Sequence, residues 1–179
     1  MKSLNEVHVW ILFTLILYIL QSSLLPFISY RGVSANLLLL LVVSFSYLKG
    51  LRLGVFMGFC AGLLQTLATG TFFGIDIVSF MIIAMICGKL SDGIFKDQFF
   101  LPIATSIIAG VIHYLIWAFF IWILGYPFPL EENLKYTLPA ICAFQFIFSY
   151  PVHKATYLID QKFLGSRYVS HRRSSTTTN

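Results

Sequence analysis

Apolar residues run through this chain in six long blocks separated by short polar breaks. The blocks cover Val7–Ile28, Val33–Leu48, Leu53–Ala68, Ile75–Leu90, Leu101–Leu124 and Tyr136–Leu158. Runs of this length with few charges predict membrane-spanning helices, because about 20 residues of helix cross a hydrocarbon layer. The second block is near the lower limit and stops at Lys49. Trp10 and Tyr30 stand near the two ends of the first block, where amphipathic rings favour the interface. A cleavable signal peptide is the alternative for that block. The apolar run resumes after Gln21-Ser22-Ser23 through Leu24-Leu25-Pro26-Phe27, with no clear small-x-small site, which favours a retained helix. Pro102 sits at the tolerated first turn of the fifth helix. Pro139 lies in the first turns of the sixth, and Pro151 is expected to kink its last third.

The third block carries a glycine every fourth residue, at Gly50, Gly54, Gly58 and Gly62. A step of four returns to nearly the same helix face, so the pattern predicts a groove without side chains. In water each interior glycine would cost roughly 1 kcal/mol against alanine. In a bilayer the groove lets a neighbouring helix approach closely. Internal packing and a partner-binding surface both fit that pattern. Gly70 to Gly74 then forms a turn leading to the fourth helix.

Composition turns these helices into a membrane protein. Hydrophobic residues make up 58% of the 179, mean hydropathy is +0.85 and only 11% are charged, too few for a soluble fold of this length. The only lengthy polar stretch follows about residue 160. Residues 1–160 therefore form one polytopic transmembrane domain. Residues 161–179 form a basic tail whose composition suits disorder. Cys60, Cys87 and Cys142 are far apart, all inside apolar blocks and in no Cys-x-x-Cys, so they are neither ligands nor a disulfide framework.

Charge sets an orientation. With the N-terminus in the cytoplasm and six spans, Lys2, Lys49, Arg52, Lys89, Lys96, Lys154, Lys162, Arg167, Arg172 and Arg173 lie inside. Arg31 and Lys135 lie outside. Ten against two is the bias of the positive-inside rule, and losing one internal span would spoil it. The net charge of +5 thus belongs mostly to one face and suits anionic lipid. No basic face with interleaved aromatics points to nucleic acid.

Polar residues within the blocks are the candidate chemistry, because they are costly there. Gln21, Asn36, Gln65 and Gln145 are read as interhelical hydrogen-bonding amides. Asp76 is read as a cap at a helix N-terminus, where negative charge is favoured. His113 has no acid or second histidine nearby in sequence and does not suggest a metal site. His-Glu-x-x-His and Gly-x-Ser-x-Gly are both missing. Ser91-Asp92-Gly93 matches a fragment of the phosphoalcohol-transferase signature without its remaining aspartates. No inverted repeat supports a transport pathway. No catalytic centre, cofactor or metal is expected.

In their order, several short tracts resemble a known family. Leu20-Gln21-Ser22-Ser23-Leu24-Leu25-Pro26 ends the first helix, and Asn36-Leu37-Leu38-Leu39-Leu40-Leu41-Val42-Val43 opens the second. Gly50 to Leu64 is followed by a polar residue, then Gly70-Thr71-Phe72-Phe73-Gly74, then Gly88-Lys89-Leu90. Over roughly residues 7 to 158 this resembles the rod shape-determining protein MreD. Two positions depart from the family pattern: Asn36 follows Ala35 where Pro-Asp is common, and Gln65 stands at or next to an expected acid.

The resemblance implies an all-α bundle of six transmembrane helices with both termini cytoplasmic, related in fold to the S components of energy-coupling-factor transporters. It implies a non-enzymatic inner-membrane subunit of the cell-elongation machinery. Its partners would be MreC and, directly or indirectly, MreB, RodA and its transpeptidase, with a homodimer also open. Gly50, Gly54, Gly58, Gly62, Gln65, Gly70, Gly74 and Asp76 are the residues assigned to helix packing or partner binding. The alternative is a vitamin-binding S component. Such subunits carry an Ala-x-x-x-Ala type motif in the first helix, whereas Trp10 to Leu20 is bulky throughout.

Overall fold

The computed structural model describes the backbone of residues 2–30, 32–70, 74–91, 100–125 and 133–174, and side chains within 7–30, 32–70, 74–90, 102–125 and 135–162. Among the described residues seven α-helices follow one another: α1 Lys2–Ser23, α2 Leu25–Ile28, α3 Leu37–Lys49, α4 Leu51–Thr69, α5 Ile75–Ser91, α6 Phe100–Ile123 and α7 Leu138–Ser174. A π-helical turn, Asn133–Thr137, leads into α7. No strand occurs among the described residues; Tyr30 and Val33 exchange one isolated bridge. By length and composition, Leu51–Thr69 and Pro102–Ile123 are long and apolar enough to cross a membrane. Val7–Ser23 and Leu37–Lys49 are shorter apolar helices.

The first apolar block is broken in two rather than forming one helix to Ile28. Pro26 has no N–H for the carbonyl four residues back, and its ring would crowd that carbonyl. The chain therefore closes α1 at Ser23 and restarts as the single turn α2, with Pro26 at a tolerated early position. The second block is trimmed at its start. Residues 33 to 36 are not helical, and Asn36 Oδ1 accepts from Leu39 N at 3.0 Å as the N-cap of α3.

Gly50 separates α3 from α4 at φ 81°, a left-handed conformation open to glycine at low cost. Gly70 closes α4 in the αL conformation, with its N–H on the Thr66 carbonyl. Pro151 lies inside α7, which continues past it through Ser174.

The core of the bundle is α3. Every residue from Leu37 to Tyr47 is buried. α1, α4, α5, α6 and α7 all contact it, while α4–α5 and α6–α7 form close pairs around it. Thirteen residues of helix are about 20 Å long against a hydrocarbon layer of about 30 Å. The start of α3 follows the buried Ala35, whereas Leu48 to Gly50 at its other end are partly exposed. Large apolar side chains point outward instead: Leu12, Ile16 and Ile19 on α1, Phe56 and Leu67 on α4, Phe119 on α6, Phe146 and Ile147 on α7. A buried centre within an apolar exterior is how a helical bundle meets lipid.

Candidate functional site

The glycine column faces inward. A Cβ added at Gly54 would come 2.5 Å from Ser46 Oγ on α3. At Gly58 it would meet the Phe80 carbonyl oxygen at 2.8 Å, and at Gly62 the Ile77 Cα at 2.6 Å, both on α5. Missing side chains thus let α4 lie against α3 and α5 at backbone distance. Gly88 extends the arrangement from the other side, since its Cβ would lie 2.6 Å from Leu51 Cα. Gly50, Gly70 and Gly74 have open space and positive φ, so they shape turns and contribute nothing to the column.

At the other end of α4 the polar residues converge. Gln21 Nε2 on α1 donates to Gln65 Oε1 on α4 at 2.7 Å. Gln21 Oε1 accepts from Leu38 N at 3.1 Å, in the first turn of α3. Together with Asn36 this satisfies two of the amide N–H groups that a helix start leaves without partners. A helix buried inside a lipid-facing bundle has no water to do so. Gln65 and Asn36, the two departures from the expected acids, therefore serve one junction. Both accept through a side-chain oxygen, and Gln21 alone both donates and accepts.

The junction continues to α5 and α6. Thr69 Oγ1 donates to the Gln65 carbonyl at 3.0 Å and lies 3.4 Å from Asp76 Oδ2. His113 Nε2 stands 3.6 Å from Asp76 Oδ1. Asp76 occupies the first turn of α5, as a capping role requires, and its carboxylate also reaches α4 and α6. The sequence shows no acid near His113; folding supplies one from a different helix.

A second junction holds the opposite end of α3. Lys49 Nζ pairs with Asp160 Oδ1 of α7 and lies 5.8 Å from the centre of the Trp10 ring on α1. Trp10 packs edge-on against Phe45 at 4.8 Å between ring centroids. The sequence reading missed this junction. Its available signal was Asp160, the one acid after Glu132 in an otherwise basic segment.

Among the described residues no group of three or more His, Cys, Asp or Glu is placed to hold a metal. An open groove of about 360 Å³ lies beside Tyr30, Lys135, Tyr136, Pro139 and Phe144. Arg31, Thr71, Phe72, Phe73, Lys96 and Glu132, which bear on the expected loops and topology, lie outside the described residues, as do 175–179 of the tail. The family model described as rod shape-determining protein MreD matches residues 1–154. No curated protein and no solved structure matches the chain.

Proposed function

The chain belongs to the MreD family of rod shape-determining proteins, and on that premise we propose that it is a non-enzymatic scaffold of the bacterial cell-elongation complex. It resides in the inner membrane as six spans with both termini in the cytoplasm. There it binds MreC and links MreB filaments to peptidoglycan synthesis by RodA and its transpeptidase. The family match over residues 1–154 carries the reading. The ten-to-two distribution of basic residues supports the orientation.

The use of the polar residues supports a scaffold. Gln21, Gln65, Thr69 and Asp76 are engaged in joining helices, and Asn36 caps the start of α3. Gly54, Gly58 and Gly62 face α3 and α5, so the column acts on partner binding through the shape it gives the bundle. Partners then meet the outward apolar faces, which lipid also wets.

Co-purification of the full chain with MreC from membranes tests the proposal. Capture of MreC, with restoration of rod shape in cells lacking the protein, is the expected result. A folded chain that captures no MreC overturns the scaffold reading. The open groove beside Lys135 favours a second reading, a vitamin-binding subunit, because a small molecule could enter it. A vitamin-dependent rise in melting temperature would support that reading against the first.

A further inference from the structure

The open groove beside Tyr30 and Lys135 is graded along its length. Lys135 and Tyr136 stand in the π-helical turn where the chain enters α7, and Ala143 and Phe144 lie about two turns further along. Ala140 and Ala143 share one face of α7 and line the groove, whereas Phe146 and Ile147 below them carry large exposed side chains. Two small residues followed by two large ones leave a recess in an apolar outward surface. Phe144 bounds it towards the core, where it packs against the buried cluster. Tyr30 lines it from the segment between α2 and α3. The Tyr30 backbone is held there by a tight turn: Tyr30 N donates to the Val33 carbonyl and Val33 N to the Tyr30 carbonyl, both at 2.9 Å.

Among the residues lining the groove Lys135 is the one charge, and it stands at one end. It is exposed, its Nζ lies 5.5 Å from the centre of the Tyr136 ring, and no ion pair to it occurs among the described residues. Glu131 and Glu132 precede it in the sequence, so the groove offers a local ammonium and not a net positive field. An occupant must then be anionic at one end and apolar along the rest. The nine residues from Lys135 to Phe144 rise about 13 Å, close to the roughly 15 Å that one leaflet contributes to a hydrocarbon layer. We propose that the groove seats one acyl chain of a phospholipid, with the lipid phosphate on the Lys135 ammonium.

The surroundings suit a lipid. Ala143 is exposed on the surface that continues into Phe146 and Ile147, so a chain enters directly from the bilayer. Tyr30 and Tyr136 set amphipathic rings beside the phosphate, the level at which such rings favour a membrane interface. With both termini cytoplasmic, as proposed, this end of α7 is the outer one and the lipid belongs to the outer leaflet. A reversed orientation would move the lipid to the other leaflet without emptying the seat, and thiol labelling of the loops reads that orientation separately.

Photocrosslinking of the full-length protein in phosphatidylcholine nanodiscs tests the seat. The probe is a trace of phosphatidylglycerol carrying a diazirine on one acyl chain, and the adducts are mapped by mass spectrometry. Adducts on residues 136–144 are expected to exceed those on the outward α1 face of Leu12, Ile16 and Ile19 roughly fivefold, as one cation acting on a lipid phosphate supplies. The matching diacylglycerol probe, which lacks the phosphate, should label the two surfaces equally. Lys135→Glu removes the cation, and Ala143→Trp fills the recess from an exposed position without entering the core. Each variant should abolish the excess while the melting temperature stays near that of the wild type. Equal labelling of the two surfaces by the phosphatidylglycerol probe would overturn the proposal, leaving lipid that only wets the surface and a groove open to a small molecule. An excess that survives either variant in a folded protein would overturn it as well.

Discussion

Gln21 and Gln65 are joined side chain to side chain at 2.7 Å, forty-four residues apart, and the same Gln21 amide accepts from the start of the central helix. One glutamine thus ties α1 to α4 and closes a gap in the hydrogen bonding of α3. Removing Gln65 leaves the Gln21 amide N–H without its acceptor, whereas removing Gln21 also exposes Leu38 N. Gln21→Leu should therefore destabilise more than Gln65→Leu, within the roughly 1–3 kcal/mol of an unsatisfied buried polar group. Thermal unfolding in detergent gives the order. A double-mutant cycle should return a coupling of about 0.6 kcal/mol, the average for interhelical hydrogen bonds in membranes. Zero coupling would mean that the pair does not hold the helices together.

The glycines of α4 should not be equivalent. At Gly62 an added methyl meets Ile77 backbone, which can only move with its helix. At Gly54 the first obstacle is the Ser46 side chain. Gly62→Ala is expected to cost about 1–3 kcal/mol by overpacking. Gly54→Ala should lose less, and Ser46→Gly should restore part of what it loses, since the Ser46 Cα also stands 3.0 Å away and glycine itself costs about 1 kcal/mol inside a helix. Melting temperatures of the two single variants and the Gly54→Ala, Ser46→Gly pair check this; equal losses with no rescue would refute the assignment of Ser46 as the obstacle.

Lys49 and Asp160 form a junction whose sign can be inverted. Their side chains are 14% and 23% exposed, so the pair is partly screened and should contribute more than the ~1 kcal/mol ceiling of most surface pairs. Lys49→Asp alone places two carboxylates together and should lower the melting temperature by several degrees. Adding Asp160→Lys should recover part of that loss. Recovery stays partial because the Lys49 ammonium also lies over the Trp10 ring.

Asp76 should tolerate loss of charge better than loss of oxygen. Asp76→Asn keeps an acceptor for Thr69 and a polar group facing His113, whereas Asp76→Leu removes both. The expected order of melting temperature is wild type, then Asn, then Leu. If Leu proved as stable as Asn, Asp76 would act only through the N-terminus of α5.

The six-span topology predicts a labelling pattern. Single cysteines near Arg31, Phe73 and Glu132 should react with an impermeant thiol reagent from outside. Those near Lys96 and Arg172 should react only after the membrane is opened. External labelling near Lys96 would refute the topology.

The chain by itself determined that it is helical and apolar, and where most helices lie, because hydrophobic block length and a few breakers are local properties. Gly70 closes α4 in the structure by a left-handed turn, a function of a single residue type, whereas Asn36, expected as an amide between helices, instead caps the start of α3 through Leu39 N. Pro26 is equally visible, but apolarity continues across it and hides the break between α1 and α2. The glycine period also announced close packing, but a period gives a face and not the neighbour on it.

Only the tertiary structure decided that α3 and α5 occupy the glycine face and that α3, only thirteen residues long, is the centre of the bundle. It also decided that His113 finds its acid on α5 and Lys49 finds Asp160 on α7. In a chain this apolar almost every helix face is able to face lipid, so hydropathy does not say which side turns inward. That choice is made where polar groups must find partners and where backbones can approach most closely, and both conditions depend on residues far apart in sequence.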